Sequence, residues 1–473
     1  MNRGLKKGAE GPILRDWSVV LAGTFLILLP AMVNGFPFVY PDTGTYLASA
    51  FRGEVPVDRP AWYGLFMRIG SLGGNTFWGI ITAQAFLCSL YIFRTVAMLV
   101  PMRRHRASLI ILAVLSTVSS LGWYAGQLMP DIFTGIGLLA LCQMFLGRGK
   151  RWVRTADTAL AVFCCWVHLS NLLILPVSGA ILLLSARRRI PAPSPLRWAG
   201  LIGYTALAWG GLATANRVVD REFYISRGSQ AFLVARMLDT GMLRAWMEEH
   251  CPEGGYRICA YMDRMPPSGG HLLWHDSISP MHLEGGWLAT RPEYQRIVRS
   301  TLTEPRFLLW HITAGVKSAS DLLTRGTICG ALVNKEYRSS KSPPYFMIEG
   351  TIRSGLEPYL ASLQNGGRGE LSMVWPDLVY GALMLLSIAV ALVLILHSRK
   401  VHEFPSDRAL LLFVCGALLI DALVCASLSA VEDRYLSRVT WLLPLMVSIV
   451  LKRRWHTSGR TTIQDGPPAT GTR

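Results

Sequence analysis

Residues 17–36, WSVVLAGTFLILLPAMVNGF, run without a single charged side chain. About 20 such residues in helical conformation are what it takes to cross the hydrocarbon of a bilayer. Directly after them, a polar, aromatic-rich loop over 37–75 begins PFVYPDTGTYLASAFRG. The same alternation of apolar run and polar connector then repeats along the chain. Further apolar runs occupy 77–100, 109–123, 132–146, 198–215, 374–396, 410–430 and 439–451. The stretch 156–186 is apolar but broken by His168, Ser170, Asn171 and Pro176, and it reads as two short helices or a re-entrant pair. The pattern predicts an all-α polytopic membrane protein of about ten transmembrane helices, with a mainly helical domain inserted after the seventh.

Composition agrees. Of 473 residues, 51% are hydrophobic and 16% charged, with a net charge of +17, whereas soluble proteins carry about a quarter charged residues. The basic residues do not gather into a groove interleaved with aromatics, which disfavours nucleic acid as a partner. They fall in bursts between the apolar runs: the first 16 residues, 101–106, 148–154, 187–197, 399–408 and the tail. Placing those segments in the cytoplasm satisfies the positive-inside bias, and the inverted orientation breaks it at every burst. Both termini are then cytoplasmic. The loop 37–75, the turn YAGQLMPD (124–131), the HLSN break, the insert 216–373 and the turn VEDRYLSR (431–438) share the opposite face. The domain reading is an N-tail 1–16, a membrane module 17–215, an outer domain 216–373, C-terminal helices 374–452 and a disordered tail 453–473. The basic start lacks a small-residue cleavage site after its apolar run, so it reads as an uncleaved first helix.

Of nine cysteines, Cys251, Cys259 and Cys329 lie in the polar insert. In CPEGGYRIC a Gly-Gly turn separates Cys251 from Cys259, which makes a disulfide plausible in an oxidising compartment; unpaired thiols are the alternative. Walker loops, GxGxxG turns and GxSxG elbows are missing from suitable surroundings, which disfavours nucleotide-driven transport and dinucleotide chemistry.

Two acidic residues stand at helix mouths on the same face. Asp42, in YPDTGTY, is expected partly desolvated at the interface, where its pKa could rise into a general base's range; capping the short helix after it is the alternative. Asp131, in MPDIFTG, precedes the run 132–146 and could equally sit there for the helix dipole. Together the two could position and activate a hydroxyl. His168 breaks an apolar run and is expected to line a cavity or bond a neighbouring helix. Asp421, in ALLIDALVC, is expected to pair within the bundle, or to couple ions in a transporter. The stretch HLLWHDSISPMHLEGGW (271–287) brings histidines together, but Ser279 and Pro280 argue for a loop. An aromatic cap is favoured over a metal site, with Trp274, Trp287 and His275 free to stack on a sugar ring. DREFYISRGSQAFLVARML (220–238) reads as an amphipathic surface helix.

The acidic residue in a sizeable first outer loop with a surface helix, the second acidic residue at the next outer loop, and a seven-helix core with a broken pair and a long following loop resemble the GT-C superfamily. That superfamily comprises polyprenyl-phosphate-dependent glycosyltransferases, including protein O-mannosyltransferases and aminoarabinose transferases. No WWDYG-like motif is present, so the oligosaccharyltransferase branch is not favoured. The resemblance implies inverting transfer from a polyprenyl-phosphate sugar to an envelope glycan, lipid or protein at the outer face of a bacterial inner membrane. Asp42 would act as base with Asp131 as its partner. Guanidinium groups would hold the leaving phosphate, with Arg52, Arg59, Arg221, Arg227, Arg236 and Arg434 as candidates, supported by His168 and Tyr435. No resident cofactor is implied, and a divalent metal is possible without being indicated. A transporter or flippase, or a non-catalytic envelope-assembly protein, are the alternatives.

Overall fold

The computed structural model describes residues 10–100, 104–147, 149–186, 195–333, 335–352, 355–397 and 406–464. Parts of the basic bursts (101–103, Arg148, 187–194, 398–405) and the last residues 465–473 lie outside the described residues.

The first part of the chain forms α1 (Glu10–Asn34), α2 (Thr43–Arg52), α3 (Trp62–Gly70), α4 (Trp78–Leu99), α5 (Arg104–Val118), α6 (Leu121–Ala125), α7 (Ile132–Leu146), α8 (Arg151–Val167), α9 (Asn171–Ala186) and α10 (Pro195–Asp220). The insert adds α11 (Ser229–Asp239), α12 (Met242–Gly254), α13 (Gly269–Trp274), α14 (Pro280–Leu283), α15 (Gly286–Thr303), α16 (Pro305–Leu323), α17 (Pro343–Thr351) and α18 (Leu356–Ala361). The chain closes with α19 (Val374–Leu396), α20 (Asp407–Leu428), α21 (Asp433–Thr440) and α22 (Leu442–Gln464). Among the described residues the only β-type pairing is a single parallel bridge, Phe38 to Gln127.

Ten of these helices fall on the apolar runs of the sequence. By length and composition five spans can cross a membrane: Leu14–Asn34, Trp78–Leu99, Val374–Leu396, Asp407–Leu428 and Asp433–Trp455, the last combining α21 and α22. Ile132–Leu146 and Asn171–Ala186 are apolar but shorter. This is the architecture of a multi-pass membrane protein. α7 is its centre, with nearly every residue buried. Small residues let its neighbours approach, as is usual between membrane helices. A Cβ on Gly135 would lie 2.5 Å from the Trp441 ring, and one on Gly137 2.7 Å from Leu175.

The insert is not one unit. Residues from Ala231 to Phe307 build a core of their own around Trp246, Leu272 and Ile297. From Ala319 onward, residues such as Ile328, Leu332, Tyr337 and Tyr359 join the core of the membrane bundle. Two expectations are corrected. Residues 221–228 are not helical, because α10 stops at Asp220 and α11 starts at Ser229, so the amphipathic helix expected over 220–238 is only its second half. The tail expected to be disordered from 453 continues α22 as far as Gln464.

Candidate functional site

The first and second loops are stitched together before any charge is considered. The Phe38 N–H donates to Gly126 O at 2.9 Å and Leu128 N–H donates to Phe38 O at 2.9 Å. Gln364, from the end of the insert, takes the other edge. Its amide accepts from Val39 N at 3.0 Å and donates to Val39 O at 2.9 Å, the reciprocal pairing a neighbouring strand would supply. Gln84 of α4 anchors the second loop, donating to Ala125 O and Gln127 O at 3.0 and 2.8 Å and accepting from Tyr63 OH at 2.8 Å. Buried amides inside a bundle are retained where they satisfy backbone that has no other partner.

That stitching places Asp42 and Asp131 at one end of the bundle, each in the N-cap position of its helix, α2 and α7. Neither carboxylate caps: neither makes a side-chain hydrogen bond to its helix N-terminus. Both turn instead toward α21. Arg434 and Arg438 are four residues apart and so share one face of that helix. Arg434 Nη1 lies 2.9 Å from Asp42 Oδ2, and Arg438 Nη1 lies 3.6 Å from Asp131 Oδ1.

Around Asp42 the contacts form a partly accessible layer. Arg59 Nη1 also reaches Asp42 Oδ2, at 3.0 Å, and is itself braced by Asp58 at 2.7 Å from Nε. Both guanidinium groups close on the Asp42 carboxylate at Oδ2. Arg434 stacks 4.2 Å from the Tyr40 ring centroid and 4.9 Å from that of Tyr435, whose hydroxyl it also bonds at 3.2 Å. Burial by itself would raise the Asp42 pKa, but the charges of Arg59 and then Arg434 outweigh it and hold the carboxyl well below the usual carboxylate range. The expectation of a raised pKa is therefore corrected: the resting Asp42 is a firmly held anion. The Arg434 partner is also not local. The chain neighbour of Arg434, Asp433, bonds Arg325 and Thr327 instead.

Beneath lies a closed layer. Arg438 and Asp421 are fully buried and joined at 2.8 Å. Arg438 also donates to Ser170 Oγ at 3.0 Å and to His168 Nε2 at 2.7 Å. Since a guanidinium can only donate, Nε2 is the acceptor and Nδ1 carries the proton toward Ser170 Oγ, 2.9 Å away. That tautomer is assigned from the bonding pattern. Asp131 has 1% side-chain exposure, yet among the described residues neither of its oxygens has a hydrogen-bond partner. His168 lies 4.0 Å off. A buried carboxylate left outside hydrogen bonding is uncommon and costly.

The structure thus brings together Asp42, Asp131, Arg59, His168, Arg434 and Tyr435. Arg227 pairs with Asp220 and Glu222, and together with Arg59, Leu169 and Tyr224 it lines a narrow adjoining cleft. Others fall elsewhere. Arg221 is exposed at the end of α10, Arg52 faces Glu54 at the surface, and Arg236 is bonded to Ser318 inside the insert at 2.7 Å. Trp274 and Trp287 meet each other and Phe232 in tilted or edge-on contacts, at centroid distances of 5.4, 6.3 and 5.6 Å, with Trp287 packed on the insert's own core and Trp274 exposed. Trp287 lies near the first loop: a Cβ on Gly228 would meet Val57 O at 3.0 Å and the Trp287 ring at 3.1 Å. His275 stacks on His271, and among the described residues no three His, Cys, Asp or Glu side chains converge as a metal site would need. Cys251 and Cys259 are joined in a disulfide. Arg438, as fully buried as Asp421, is a site residue that the sequence reading did not single out. The signal for it was its spacing from Arg434 at the head of an apolar run.

No protein-family model matches this chain, and no curated protein matches it in sequence. Among solved structures it is similar to the archaeal oligosaccharyltransferase AglB from Archaeoglobus fulgidus, in complex with an inhibitory peptide and a dolichol-phosphate. The identity is 12% and the TM-score 0.47, over 98% of this chain and 53% of the other. The chain spans about half the length of that protein.

Proposed function

We propose that this chain is a GT-C-type glycosyltransferase with about ten membrane-spanning helices, working at the non-cytoplasmic face of a bacterial inner membrane. It transfers a sugar from a polyprenyl-phosphate donor to an envelope acceptor. The orientation rests on the distribution of basic residues, and the Cys251–Cys259 disulfide, which suits an oxidising compartment, supports it.

One observation carries the reading: α21 presents Arg434 and Arg438 on consecutive turns, and these gather Asp42 and Asp131, two carboxylates from separate loops, onto one face. In the transfer, the acceptor oxygen bonds the anomeric carbon as its proton passes to Asp42. The bond from that carbon to the phosphate oxygen breaks, and its electron pair leaves on the lipid phosphate. Because the resting Asp42 is held by guanidinium groups, the donor phosphate competes for them. Binding it on Arg434 and Arg59 releases the carboxylate and raises its basicity when a base is needed. Arg227, paired with Asp220 and Glu222, lines the same cleft as Arg59. Asp131 retains acceptor capacity for a substrate hydroxyl. Asp421, the intramembrane carboxylate that would suggest ion coupling, is bonded to Arg438, which weakens the transporter alternative.

The test is transfer by purified protein in nanodiscs, supplied with polyprenyl-phosphate sugars and an envelope extract as acceptor source. Asp42→Asn should lower product formation by about 10²–10⁴-fold, the usual worth of a positioned base, while remaining folded and inserted. Full activity in that variant would remove Asp42 from the chemistry.

A further inference from the structure

α16 lies in the stretch that the sequence assigns to an aqueous domain, but its surface has three distinct faces. The first is small and buried: Gly315, Ser318 and Ala319, with Phe307 and Leu322 at its ends. It packs along α20, a candidate membrane span. The approach is close, since a Cβ on Gly315 would sit 2.5 Å from Ser427 Oγ. Small residues at a helix contact are how membrane helices draw together.

The second face is apolar and bare. Leu308, Leu309, Ile312, Val316 and Leu323 are 40%, 61%, 55%, 57% and 41% exposed. At 100° per residue they form one stripe along the helix. The third face, also exposed, carries Arg306, Thr313, Lys317 and Asp321, with Trp310 among them. A helix in water needs two faces. Three are needed where protein, lipid and water all meet it.

We infer that α16 is seated in the bilayer, its apolar stripe in the acyl chains and its charged face toward the headgroups and water. The helix beside it, a candidate membrane span, also turns apolar residues outward. On α20, the helix α16 packs against, Leu419, Leu423 and Leu428 are exposed at 49%, 37% and 41%. The placement stands independently of the glycosyltransferase reading. It bears on the site because α16 leads straight into Arg325, which holds Asp433 at the start of α21 at 2.9 Å.

The unmodified full chain can be tested. It is reconstituted into phosphatidylethanolamine/phosphatidylglycerol vesicles doped with a phospholipid carrying a diazirine near the end of an acyl chain. After photolysis, adducts are mapped by mass spectrometry. The tryptic peptide 307–317 should be labelled at Leu308, Leu309, Ile312 and Val316 but not Thr313. Its yield should be comparable to the peptides of α19 and at least about tenfold above the exposed Leu283 and Leu288 of the insert, as acyl-chain contact requires. Labelling of α19 and α20 with none on 307–317 would overturn the inference, whether the stripe is then in water or covered by protein. Equal labelling of Leu283, Leu288 and the stripe would overturn it as well.

Discussion

The two Pro-Asp turns, 41–42 and 130–131, are nearly alike in sequence and opposite in circumstance. Each puts an aspartate at a helix start, and each aspartate forgoes capping for an arginine of α21. Asp42, 20% exposed, is held at hydrogen-bonding distance by two guanidinium groups. Asp131, 1% exposed, has none within that reach. The deeper carboxylate is therefore the less satisfied one. In a fold selected for stability alone the order would be reversed, since unsatisfied charge costs most where water is excluded. The inner carboxylate keeps its acceptor positions unfilled, while the outer one is occupied until something displaces its arginines.

The largest expected effect comes from removing the group that spans the inner layer. Arg438→Met leaves Asp421 and Asp131 buried without a counter-charge and should cost about 3–5 kcal/mol of stability, the usual penalty for breaking a buried pair from one side. Unfolding in detergent measures it. Adding Asp421→Leu should recover much of the loss, and failure to recover would mean that Asp131, not Asp421, is the main counter-charge.

Next is Gln364→Ala, which strands the buried Val39 N–H and C=O and should cost about 1–3 kcal/mol. Because Val39 adjoins Phe38, which is bonded to the second loop, and lies three residues before Asp42, transfer should fall along with stability. A loss of stability with unchanged transfer would show that the stitching does not position Asp42.

The comparison is sharpened further by paired isosteric changes. Asp131→Asn removes a charge that no hydrogen bond satisfies, so stability should change by no more than about 1 kcal/mol in either direction. Asp42→Asn, which loses two charged contacts, should cost more. The reverse order, read from matched unfolding curves, would break the contrast drawn here.

The smallest effect is on pH dependence. The native pKa of Asp42 is depressed, so its contribution to stability is present above the ordinary carboxylate value of about 3.9 and is lost as pH falls below it. The melting temperature of the wild type should therefore fall more steeply below about pH 4 than that of Asp42→Asn. Parallel curves would mean that the arginines do not hold the carboxylate.

Much of the scaffold was legible because lipid imposes a length and a polarity on each helix that no soluble core demands; α1, α4, α19 and α20 fall directly on their apolar runs. Asp42 and Asp131 were legible because a proline and an acid at a helix mouth are local signals. What stayed hidden depends on distant partners. Gln84 and Gln364 look like any glutamine until the backbone they serve is in place, and Arg438 was absorbed into a turn that is in fact the first part of a membrane helix. Arg221, Trp274 and Trp287 were chosen by chain segment and chemistry alone. Phe232 and the end of α10 decide where they go instead.

The account turns on the outer arginines being shared between Asp42 at rest and a lipid phosphate at work. Isotope-edited infrared spectroscopy of ¹³C-aspartate protein, taken as wild type minus Asp42→Asn, reads the Asp42 carboxyl directly. Without ligand it should be ionised throughout the range above about pH 4. With saturating polyprenyl phosphate its titration should move upward, as Arg59 and Arg434 pass to the phosphate. An Asp42 signal that is protonated near neutral pH at rest, or one indifferent to polyprenyl phosphate, would contradict the account.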